Sequence, residues 1–438
     1  MIRSTVVVFK IGLLGLGTVG IGTAQILLDS SGRNPLLEEI VVSQIGVRSL
    51  EKTRPIKFPP GVITTDLVAI VTDPEINIVV ELLGGLEPAR TMILQAIDQG
   101  KHVVTANKAV IARHGDEIYE AANRAGVYVL LEASVGGGIP IIKPLKQSLG
   151  ANRITSIIGI VNGTTNYILT QMTTAGADFS DALVEAQHLG YAEADSTADV
   201  DGLDAADKIA ILASLGFGER VQRESVYCEG IRKVSTVDIA YADKLGFVIK
   251  LLAIAKISEK TESRILQLRV HPTLVPKSHP LASVEGVNNA ILVEGDPLGQ
   301  VMFYGPGAGS GPTASAVVSD IMNIVAILKS NNHTQTLNPL LSCTHQHYCQ
   351  ITPIEAIETR FYARFLTKDV PGVIGNLGRS FGNYQVSLES VVQIGFKEEL
   401  AEIVVVTHYV CEGNFRTALD EVRTLETIKS IPSVLRVL

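Results

Sequence analysis

Residues Lys10–Asp29 read KIGLLGLGTVGIGTAQILLD, an apolar strand pattern that passes through a glycine-rich turn into a helical pattern. Within the turn, three glycines follow the spacing Gly-x-Gly-x-x-Gly. The first glycine of this pattern permits a tight turn, the second lets a pyrophosphate approach the backbone, and the third lets helix and strand pack closely. The helix N-terminus supplies N–H donors for phosphates. The pattern predicts a dinucleotide-binding turn, with a purely structural turn as the alternative; its residues are Gly15, Leu16, Gly17, Thr18, Val19 and Gly20.

The first 150 residues continue this alternation of short apolar strands and helices. Such alternation is typical of βαβ units around a parallel sheet. We predict a Rossmann-type doubly wound α/β domain over residues 1–150, completed by about 305–330, and an extra or lengthened strand at the apolar lead-in Met1–Phe9. The predicted strands are Lys10–Leu14, Ile40–Val47, Ile76–Leu83, His102–Thr105 and Val127–Glu132, and the helices are Gly20–Asp29, Pro88–Gln99 and Gly115–Ala125.

Two further regions follow. Residues 151–304 mix both patterns and predict an α+β domain, with a helix at Ile239–Ala255. Residues 331–357 predict a linker, and 358–438 predict a separate ferredoxin-like module with the order β-α-β-β-α-β. Its predicted strands are Thr359–Thr367, Val386–Val392, Ala401–Tyr409 and Ser433–Leu438, and its helices are Pro371–Asn383 and Asn414–Leu425.

The overall composition argues against several classes of function. A net charge of −8 leaves no excess of lysine and arginine to neutralise nucleic-acid phosphates. No apolar run reaches the roughly 18 residues of a membrane-spanning helix, and the start MIRSTVVVFK is too short for a secretory signal. We therefore expect a cytoplasmic protein whose partners include neither nucleic acid nor a membrane.

One cluster has the residue types of a zinc site: Cys343, His345, His347 and Cys349. On a strand these four side chains share a face but spread over about 20 Å. A tetrahedral zinc ion needs all four ligand atoms within about 2.3 Å. The spacing therefore disfavours zinc, and the role of the cluster stays open.

Basic residues follow two of the predicted strands. Arg48, with Lys52 and Arg54 close behind, stands where an NAD-preferring site usually carries an acid, so it could hold the 2′-phosphate of NADP. Lys108 follows His102–Thr105, where a cation would meet an anionic substrate or cofactor. For both residues a solvated surface charge is the alternative. The pattern favours NADP and leaves NAD open.

Residues Gly190–Leu212 read GYAEADSTADVDGLDAADKIAIL, with six acids and a single lysine. Asp204 and Lys208 lie four residues apart, so on a helix they share one face. A neighbouring carboxylate would position the ammonium group, and burial would lower the pKa of the lysine towards the range useful for proton transfer. The alternative is a solvated ion pair worth only about 0.3 kcal/mol.

Six motifs, in order from Lys10 to about Asp320, together resemble homoserine dehydrogenase: LGLGTVG, TANKAVIA, EASVGGGIPII, VNGTTNYIL, GYAEAD…DGLDAADKIAIL and GPGAGSGPTASAVVSD. The last 80 or so residues, DVPGVIGNLGRSFGNYQVSLESVVQ onward, are similar to an ACT domain, an amino-acid-sensing module. The resemblance implies NAD(P)-dependent interconversion of L-homoserine and L-aspartate 4-semialdehyde, in the biosynthesis of threonine and methionine. It also implies that residues 151–304 form the domain for substrate binding, catalysis and oligomerisation.

The resemblance also implies site residues. Lys208 matches the proton donor and acceptor, with Lys108 at the junction of cofactor and substrate. Glu193 and Asp204 match residues that bind the amino alcohol, and Gly307 matches a cofactor contact. A sodium site made largely of backbone oxygens matches Glu132, Val135, Gly137 and Ile139, whose glycine-rich surroundings could aim carbonyl groups at a hard cation. The chain departs from the pattern of this family at Ser196, where a proline is usual, and at Ala198, where some members carry an acid, and both departures bear on substrate affinity.

For the C-terminal module, the resemblance implies L-threonine as a feedback effector and a homo-oligomer, either a dimer or a tetramer. The candidate regulatory residues are Asp369 and Gly372, at the start of a predicted helix whose N–H groups could seat a carboxylate, and Asn383 at its far end. Two rival functions stay open: a related two-domain dehydrogenase acting on another semialdehyde or hydroxy amino acid, and a non-catalytic amino-acid sensor.

Overall fold

The computed structural model describes residues 8–258, 265–330, 336–343, 345, 347–397 and 400–438. The chain forms two compact units. The first comprises residues 1–154, 210–223 and 293–348, and the second comprises 155–209, 224–292 and 349–438. The predicted lead-in strand falls mainly on residues 1–7, and the predicted linker falls partly on 331–335, 344 and 346, all of which lie outside the described residues.

The first unit is built on a parallel sheet with the strand order β3-β2-β1-β4-β5-β6, so the predicted doubly wound sheet is confirmed. The order reverses between β1 and β4, where such folds bind ligands at the carboxyl ends of the strands. The strands are β1 (Phe9–Leu14), β2 (Ile40–Gly46), β3 (Ile63–Thr64), β4 (Ile78–Glu81), β5 (His102–Thr105) and β6 (Val129–Leu130); the helices are α1 (Thr18–Leu28), α2 (Leu67–Thr72), α3 (Ala89–Asp98), α4 (Lys108–Ala125) and α5 (Ile142–Lys146).

The middle of the chain continues with helices, strands of a mixed sheet and a long helix. Its elements are β7 (Arg153–Ile160), α6 (Gly163–Thr174), α7 (Phe179–His188), α8 (Thr197–Val200), α9 (Leu203–Phe217), β8 (Tyr227–Cys228), α10 (Thr236–Lys244), β9 (Phe247–Ile257), β10 (Ile265–Pro276), β11 (Asn288–Asp296), β12 (Gly299–Pro306) and α11 (Ser310–Ser330).

The predicted helix Ile239–Ala255 is wrong beyond its first residues. Helix α10 ends at Lys244, Gly246 turns the chain with a φ of 83°, and the apolar residues that follow form β9. The sequence of β9, FVIKLLAIAKI, is apolar on both faces, a pattern that suits a buried strand and a buried helix equally. Pairing with β10 along its whole length makes it a strand.

Helix α11 packs on α1 in the core of the first unit, through buried residues such as Val317, Ile321 and Ile324. Among the described residues, α11 is long and apolar enough to span a membrane, but half of its most apolar window is buried in the structure. Core helices of globular domains show the same combination of length and burial.

The C-terminal residues show the predicted order β-α-β-β-α-β. Its sheet, in the order β18-β14-β16-β15, extends the mixed sheet because β18 pairs with β10 through Thr273 and Arg436. A buried ion pair between Arg364 and Asp238, at 2.7 Å, also joins this module to α10. The elements are β13 (Gln350–Ile351), β14 (Glu358–Lys368), α12 (Val373–Asn383), β15 (Leu388–Lys397), β16 (Leu400–Thr407), β17 (Val410–Cys411), α13 (Glu412–Arg423) and β18 (Ile428–Val437).

Candidate functional site

The glycine-rich turn is tightly packed on its inner side and open on its outer side. Gly15 has a φ of 106°, and a Cβ added there would lie 2.5 Å from the carbonyl oxygen of Leu82. A Cβ on Gly20 would lie 2.2 Å from the carbonyl oxygen of Gly15. A Cβ on Gly17, at the N-terminus of α1, would meet no atom within 4 Å. The turn therefore leaves space for a phosphate at Gly17, beside the free N–H groups of α1.

The other predicted cofactor residues surround this turn or the strand ends. Leu16 is buried, Thr18 is exposed, and Val19 is half-buried. Arg48 is exposed shortly after β2, so it can meet a ligand from solvent. Arg54, which was predicted to assist it, instead donates to the backbone oxygens of its own loop, at 2.5 Å to Ser49 and 2.8 Å to Lys52.

A polar network at the ends of β4 and β5 was missed by the sequence analysis. Glu81 is fully buried, and its carboxylate accepts hydrogen bonds from the Thr105 hydroxyl at 2.6 Å and from the Leu83 N–H at 2.8 Å. Burial raises the pKa of Glu81, although these hydrogen bonds oppose the shift. Asn107 donates to the carbonyl oxygen of Gly85 at 2.7 Å and caps α4, which begins at Lys108. The sequence did carry one signal for this network, because the adjacent strands β4 and β5 each end in a polar residue.

That cap explains why α4 begins at Lys108 rather than at the predicted Gly115. The Asn107 side chain accepts a hydrogen bond from the Val110 N–H at 3.3 Å, which satisfies one of the unpaired donors of the first turn. Lys108 is therefore the first residue of a helix that starts at the carboxyl end of β5.

The loop predicted to hold a cation is buried and centred on Glu132. Its carboxylate accepts three backbone N–H bonds, from Ile141 at 2.6 Å and from Ile142 and Lys143 at 2.8 Å. These bonds fix the start of α5, and they already engage both side-chain oxygens of Glu132. Val135, Gly137 and Ile139 follow it as buried loop residues. A cation here would depend on backbone carbonyl oxygens, and among the described residues no cluster of acidic, histidine or cysteine side chains forms a metal site.

Gly137 and Gly307 are in backbone contact within the first unit. Gly137 has a φ of 56°, and a Cβ on it would lie 2.4 Å from the carbonyl oxygen of Gly307. The neighbouring Gly138 N–H donates to Pro306 at 3.1 Å. The structure thus joins the predicted cation loop to the predicted cofactor contact, which lie 170 residues apart in the sequence.

A buried carboxylate supports the same loop from α11. Asp320 accepts a hydrogen bond from the Glu132 N–H at 2.8 Å and pairs with Lys143 at 3.0 Å. Burial raises the pKa of Asp320 to about 6, against the opposing effect of Lys143. An unfolded aspartate titrates near 3.9. The native state therefore binds this proton more tightly than the unfolded state does.

This shift predicts a pH dependence of stability. The stabilisation by Asp320 is fully present below about pH 4 and is lost as the pH rises through about 6. Asp320→Asn does not titrate, so its free energy of unfolding relative to the native protein should rise by about 2 kcal/mol from pH 4 to pH 7. Denaturant titrations at four pH values measure this difference. A difference that stays constant over this range would contradict the prediction.

In the second unit, Lys208 and Asp204 form a buried pair on α9. The Lys208 ammonium lies 2.7 Å from the Asp204 carboxylate and donates to the carbonyl oxygen of Val161 at 2.7 Å. Asp204 is 5% exposed and Lys208 is 9% exposed, which rules out the solvated surface pair considered above. The predicted helix face is thus observed, with the ammonium group held in place by two oxygens.

Asn162 links this pair to a second acid and was given no role by the sequence analysis. Its side-chain amide donates to Asp204 at 2.9 Å and to Asp199 at 2.7 Å, while its oxygen caps α6 by accepting from the Thr165 N–H at 2.8 Å. An asparagine between a strand and an apolar helix is a recognisable N-cap signal. Its contacts with two distant acids, however, depend on how α6, α8 and α9 pack together.

Glu193 lies on an exposed segment between α7 and α8. That segment is attached to α6 because the Thr164 hydroxyl donates to the carbonyl oxygen of Tyr191 at 2.6 Å, and the rings of Tyr167 and Tyr191 meet edge to face at 5.0 Å. The structure thus attaches the Glu193 segment to the helix that begins beside Asn162. Its carboxylate stays accessible to a ligand from solvent.

In the C-terminal module, the three candidate residues lie at the two ends of α12. Asp369 is exposed, and Gly372 has a φ of 93° at the start of the helix. Asn383 ends the helix and donates to Glu421 at 3.0 Å. The N–H groups behind Gly372 are therefore presented at a helix start, as predicted.

Within the zinc-like cluster, the structure records a close approach of Cys343 Sγ to His345 Nδ1 at 3.4 Å. Burial raises the pKa of the Cys343 thiol and lowers the pKa of the His345 imidazole. Both shifts favour neutral groups. The contact between these two neutral side chains accounts for Cys343 and His345 as structural residues of the first unit.

Comparison with known proteins identifies the family. The family model described as homoserine dehydrogenase matches residues 140–322, and that of its NAD-binding domain matches residues 15–132. A homoserine dehydrogenase from Synechocystis sp. is 72% identical over 98% of this chain and 99% of its own length. The chain belongs to the homoserine dehydrogenase family. It is therefore an NAD(P)-dependent oxidoreductase of amino-acid biosynthesis, and the alternative of a non-catalytic sensor is wrong.

Solved structures of homoserine dehydrogenases agree with this assignment. The enzyme from Thiobacillus denitrificans is 42% identical and has a TM-score of 0.89, with 98% of both chains covered. A hyperthermophilic archaeal homoserine dehydrogenase in complex with NADPH is 29% identical, with a TM-score of 0.59 over 73% of this chain and 98% of that chain. The shared fold therefore includes the parallel dinucleotide-binding sheet described above.

Proposed function

We propose that this homoserine dehydrogenase interconverts L-homoserine and L-aspartate 4-semialdehyde with Lys208 as its proton-transfer group. The observation that carries this assignment is the buried ammonium of Lys208, held at 2.7 Å by both Asp204 and the carbonyl oxygen of Val161. A positioned, largely desolvated lysine can give a proton to an aldehyde oxygen and take it back in the reverse reaction. The bound nicotinamide supplies or accepts the hydride.

Substrate binding is assigned to Asp204 and Glu193. A substrate ammonium group forms its strongest hydrogen bonds with carboxylates, and both residues supply one. Asp204 is fixed by Lys208 and Asn162, whereas Glu193 lies on an exposed segment that can meet the substrate from solvent. Asp204 thus sets the position of the substrate beside the proton donor. The Glu193 carboxylate provides a second negative charge for the substrate ammonium group.

For the cofactor, we propose NADP as the preferred dinucleotide and NAD as the alternative. The open space at Gly17 and the N-terminus of α1 fit a pyrophosphate, and exposed Arg48 fits a 2′-phosphate. The archaeal relative solved with NADPH supports this choice. Lys108, at the start of α4, and Gly307, against Gly137, are the proposed contacts at the nicotinamide end.

We also propose that sodium binds the loop of Glu132, Val135, Gly137 and Ile139. Backbone carbonyl oxygens suit a hard cation, and the close approach of Gly137 to Gly307 leaves no space for a side chain at position 137. The Glu132 carboxylate is occupied by three N–H donors, so its contribution would come from its backbone oxygen. A cation bound in this loop would couple the conformation of the loop to the cofactor contact at Gly307.

The C-terminal module is proposed to be an ACT domain that senses L-threonine, in a dimer or tetramer. The sheet order β18-β14-β16-β15 with two helices supports a ferredoxin-like unit, and Asp369, Gly372 and Asn383 bracket α12. We retain the predicted limits 1–150, 151–304, 331–357 and 358–438 as the proposed domains, with residues 305–330 completing the first.

A spectrophotometric assay tests these proposals together. We expect aspartate semialdehyde to consume NADPH faster than NADH, and threonine to inhibit the reaction. Asn383→Ala should keep the uninhibited rate and lose the threonine response, whereas Asn376→Ala, on the same helix, should keep both. Threonine inhibition that survives Asn383→Ala would contradict the assigned effector residue, and a faster rate with NADH would contradict the cofactor preference.

A further inference from the structure

The last strand of the chain places a buried arginine against a loop of the central region. Arg436 is 5% exposed, and its guanidinium donates to both carboxylate oxygens of Glu412, at 2.6 and 2.9 Å. The same group donates to Glu229 at 2.9 Å and to the Tyr227 hydroxyl at 3.1 Å. Because the guanidinium is a rigid fork, four hydrogen bonds fix its position and that of its partners.

These contacts connect two parts of the second unit. Glu412 and Arg436 belong to the C-terminal module, on α13 and β18, whereas Tyr227 and Glu229 lie at and just after β8. Burial opposes ionisation of Glu412, but hydrogen bonds from Arg436 and Arg416 lower its pKa overall. Glu412 therefore stays charged and keeps Arg436 in place, while Arg436 extends one nitrogen to the loop.

The loop that follows β8 is bonded to the segment between α8 and α9. The Ile231 N–H donates to the carbonyl oxygen of Val200 at 2.8 Å. The Arg232 side chain pairs with the Asp201 carboxylate at 2.5 Å. On its other side, the Glu229 N–H donates to Val270 of β10 at 2.8 Å, so the loop is held between the sheet and the α8–α9 segment.

The two segments touch through their backbones. A Cβ on Gly230 would lie 2.2 Å from the carbonyl oxygen of Val200 and 2.5 Å from the Cα of Asp201. Gly202 has a φ of 81°, and a Cβ there would lie 3.1 Å from the Cys228 sulfur. Close-packed backbones transmit small displacements, so a shift of the loop must move residues 200–202.

Residues 200–202 lie directly between the two acids that Asn162 holds. Asp199 precedes them and Asp204 follows them, and each accepts a hydrogen bond from the Asn162 amide. We propose that Arg436 and Glu229 are positioning residues for the substrate-binding carboxylate of Asp204, acting through the Gly230 contact. This inference rests on the proposed role of Asp204. It makes the affinity for homoserine depend on where the C-terminal module holds its last strand.

The test compares steady-state kinetics and cofactor binding in the full-length enzyme. Glu229→Ala removes the half-buried end of the network and leaves the buried Arg436–Glu412 pair intact, so the chain should still fold. We expect the KM for homoserine to rise about five- to tenfold, the size of a modest coupling between sites, with a smaller change in kcat and an unchanged Kd for NADPH. Gly230→Ala should raise the KM further, and Glu229→Gln should restore most of the native KM.

Arg423→Met is the matched control. Arg423 lines the same cavity of about 520 Å³ as Arg436, but it pairs with Asp420 on its own helix at 2.5 Å. Its substitution should leave the KM unchanged. A merely structural role for Glu229 would lower kcat in proportion to the folded fraction, without changing the KM, and would overturn the proposal.

The Asp204→Asn variant separates this inference from the function on which it rests. If Asp204→Asn keeps the native KM for homoserine, the proposed substrate-binding role fails, whatever Glu229→Ala does. If Asp204→Asn raises the KM and both Glu229→Ala and Gly230→Ala leave it at the native value, only the positioning role of the network is overturned.

Discussion

Lys208→Met is expected to lower turnover by about a thousandfold, the usual contribution of a positioned proton-transfer group. Methionine keeps much of the aliphatic volume of lysine but cannot donate a proton. The Asn162 amide still holds Asp204 in the variant, so the substrate carboxylate keeps one of its partners. The Kd for NADPH should stay within about twofold, since the cofactor residues lie elsewhere in the sequence. Stopped-flow measurement of NADPH oxidation and fluorescence titration of NADPH provide the two readouts.

Two further variants make this result specific. Lys208→Arg keeps the positive charge beside Asp204, but arginine cannot be deprotonated near neutral pH, so turnover should stay low. Lys277→Met removes the lysine of an exposed ion pair with Asp243 at 2.6 Å, in the same unit, and should leave turnover unchanged. Full activity of Lys208→Arg would show that the lysine provides only a charge, and the proton would then come from another group.

The second large effect is expected at the glycine turn. Gly17→Leu should weaken NADPH binding by about a hundredfold, equivalent to losing about 3 kcal/mol of phosphate hydrogen bonds. A Cβ at position 17 would meet no protein atom within 4 Å, and Gly17 is exposed, so the fold can accept a side chain that extends into solvent there. The same space is the one proposed for the pyrophosphate. Isothermal titration calorimetry should therefore show weakened NADPH binding. The thermal midpoint of unfolding should stay at the native value.

Other glycines provide the matched comparisons for this experiment. Gly378 is also exposed, in the C-terminal module, and a Cβ there would meet no atom within 4 Å, so Gly378→Leu should leave the Kd for NADPH unchanged. Gly20→Ala should instead lower the thermal midpoint, because its Cβ would lie 2.2 Å from the Gly15 carbonyl oxygen. If Gly17→Leu binds NADPH like the native chain, the phosphates do not lie against this turn.

Sequence patterns predicted much of the fold, but not every element. The parallel strands of the first unit and the six elements of the C-terminal module follow the predicted order because their periodicity and their turn residues agree. Strand β9 was predicted as a helix because an apolar run of that length fits either element. The start of α4 was placed too late, since the cap at Asn107 is a weaker signal than the apolar pattern after it.

For the candidate site, too, the sequence predicted some features and missed others. The spacing of Asp204 and Lys208 placed them on one helical face, and the resemblance to a known family pointed to their chemistry. The sequence did not reveal that Asn162 connects Asp199 with Asp204, or that Glu81 accepts a bond from Thr105. Each of these contacts joins residues that are distant in the chain, so no local pattern records them.

By itself, the sequence determined the dinucleotide-binding turn, the α/β alternation and the pairing of Asp204 with Lys208, because each depends on residues a few positions apart. The tertiary structure decided that the pair is buried, that Glu132 caps α5 rather than presenting its carboxylate, and that the chain's last strand pairs with β10. Those outcomes depend on burial and long-range hydrogen bonding, which are properties of the assembled fold.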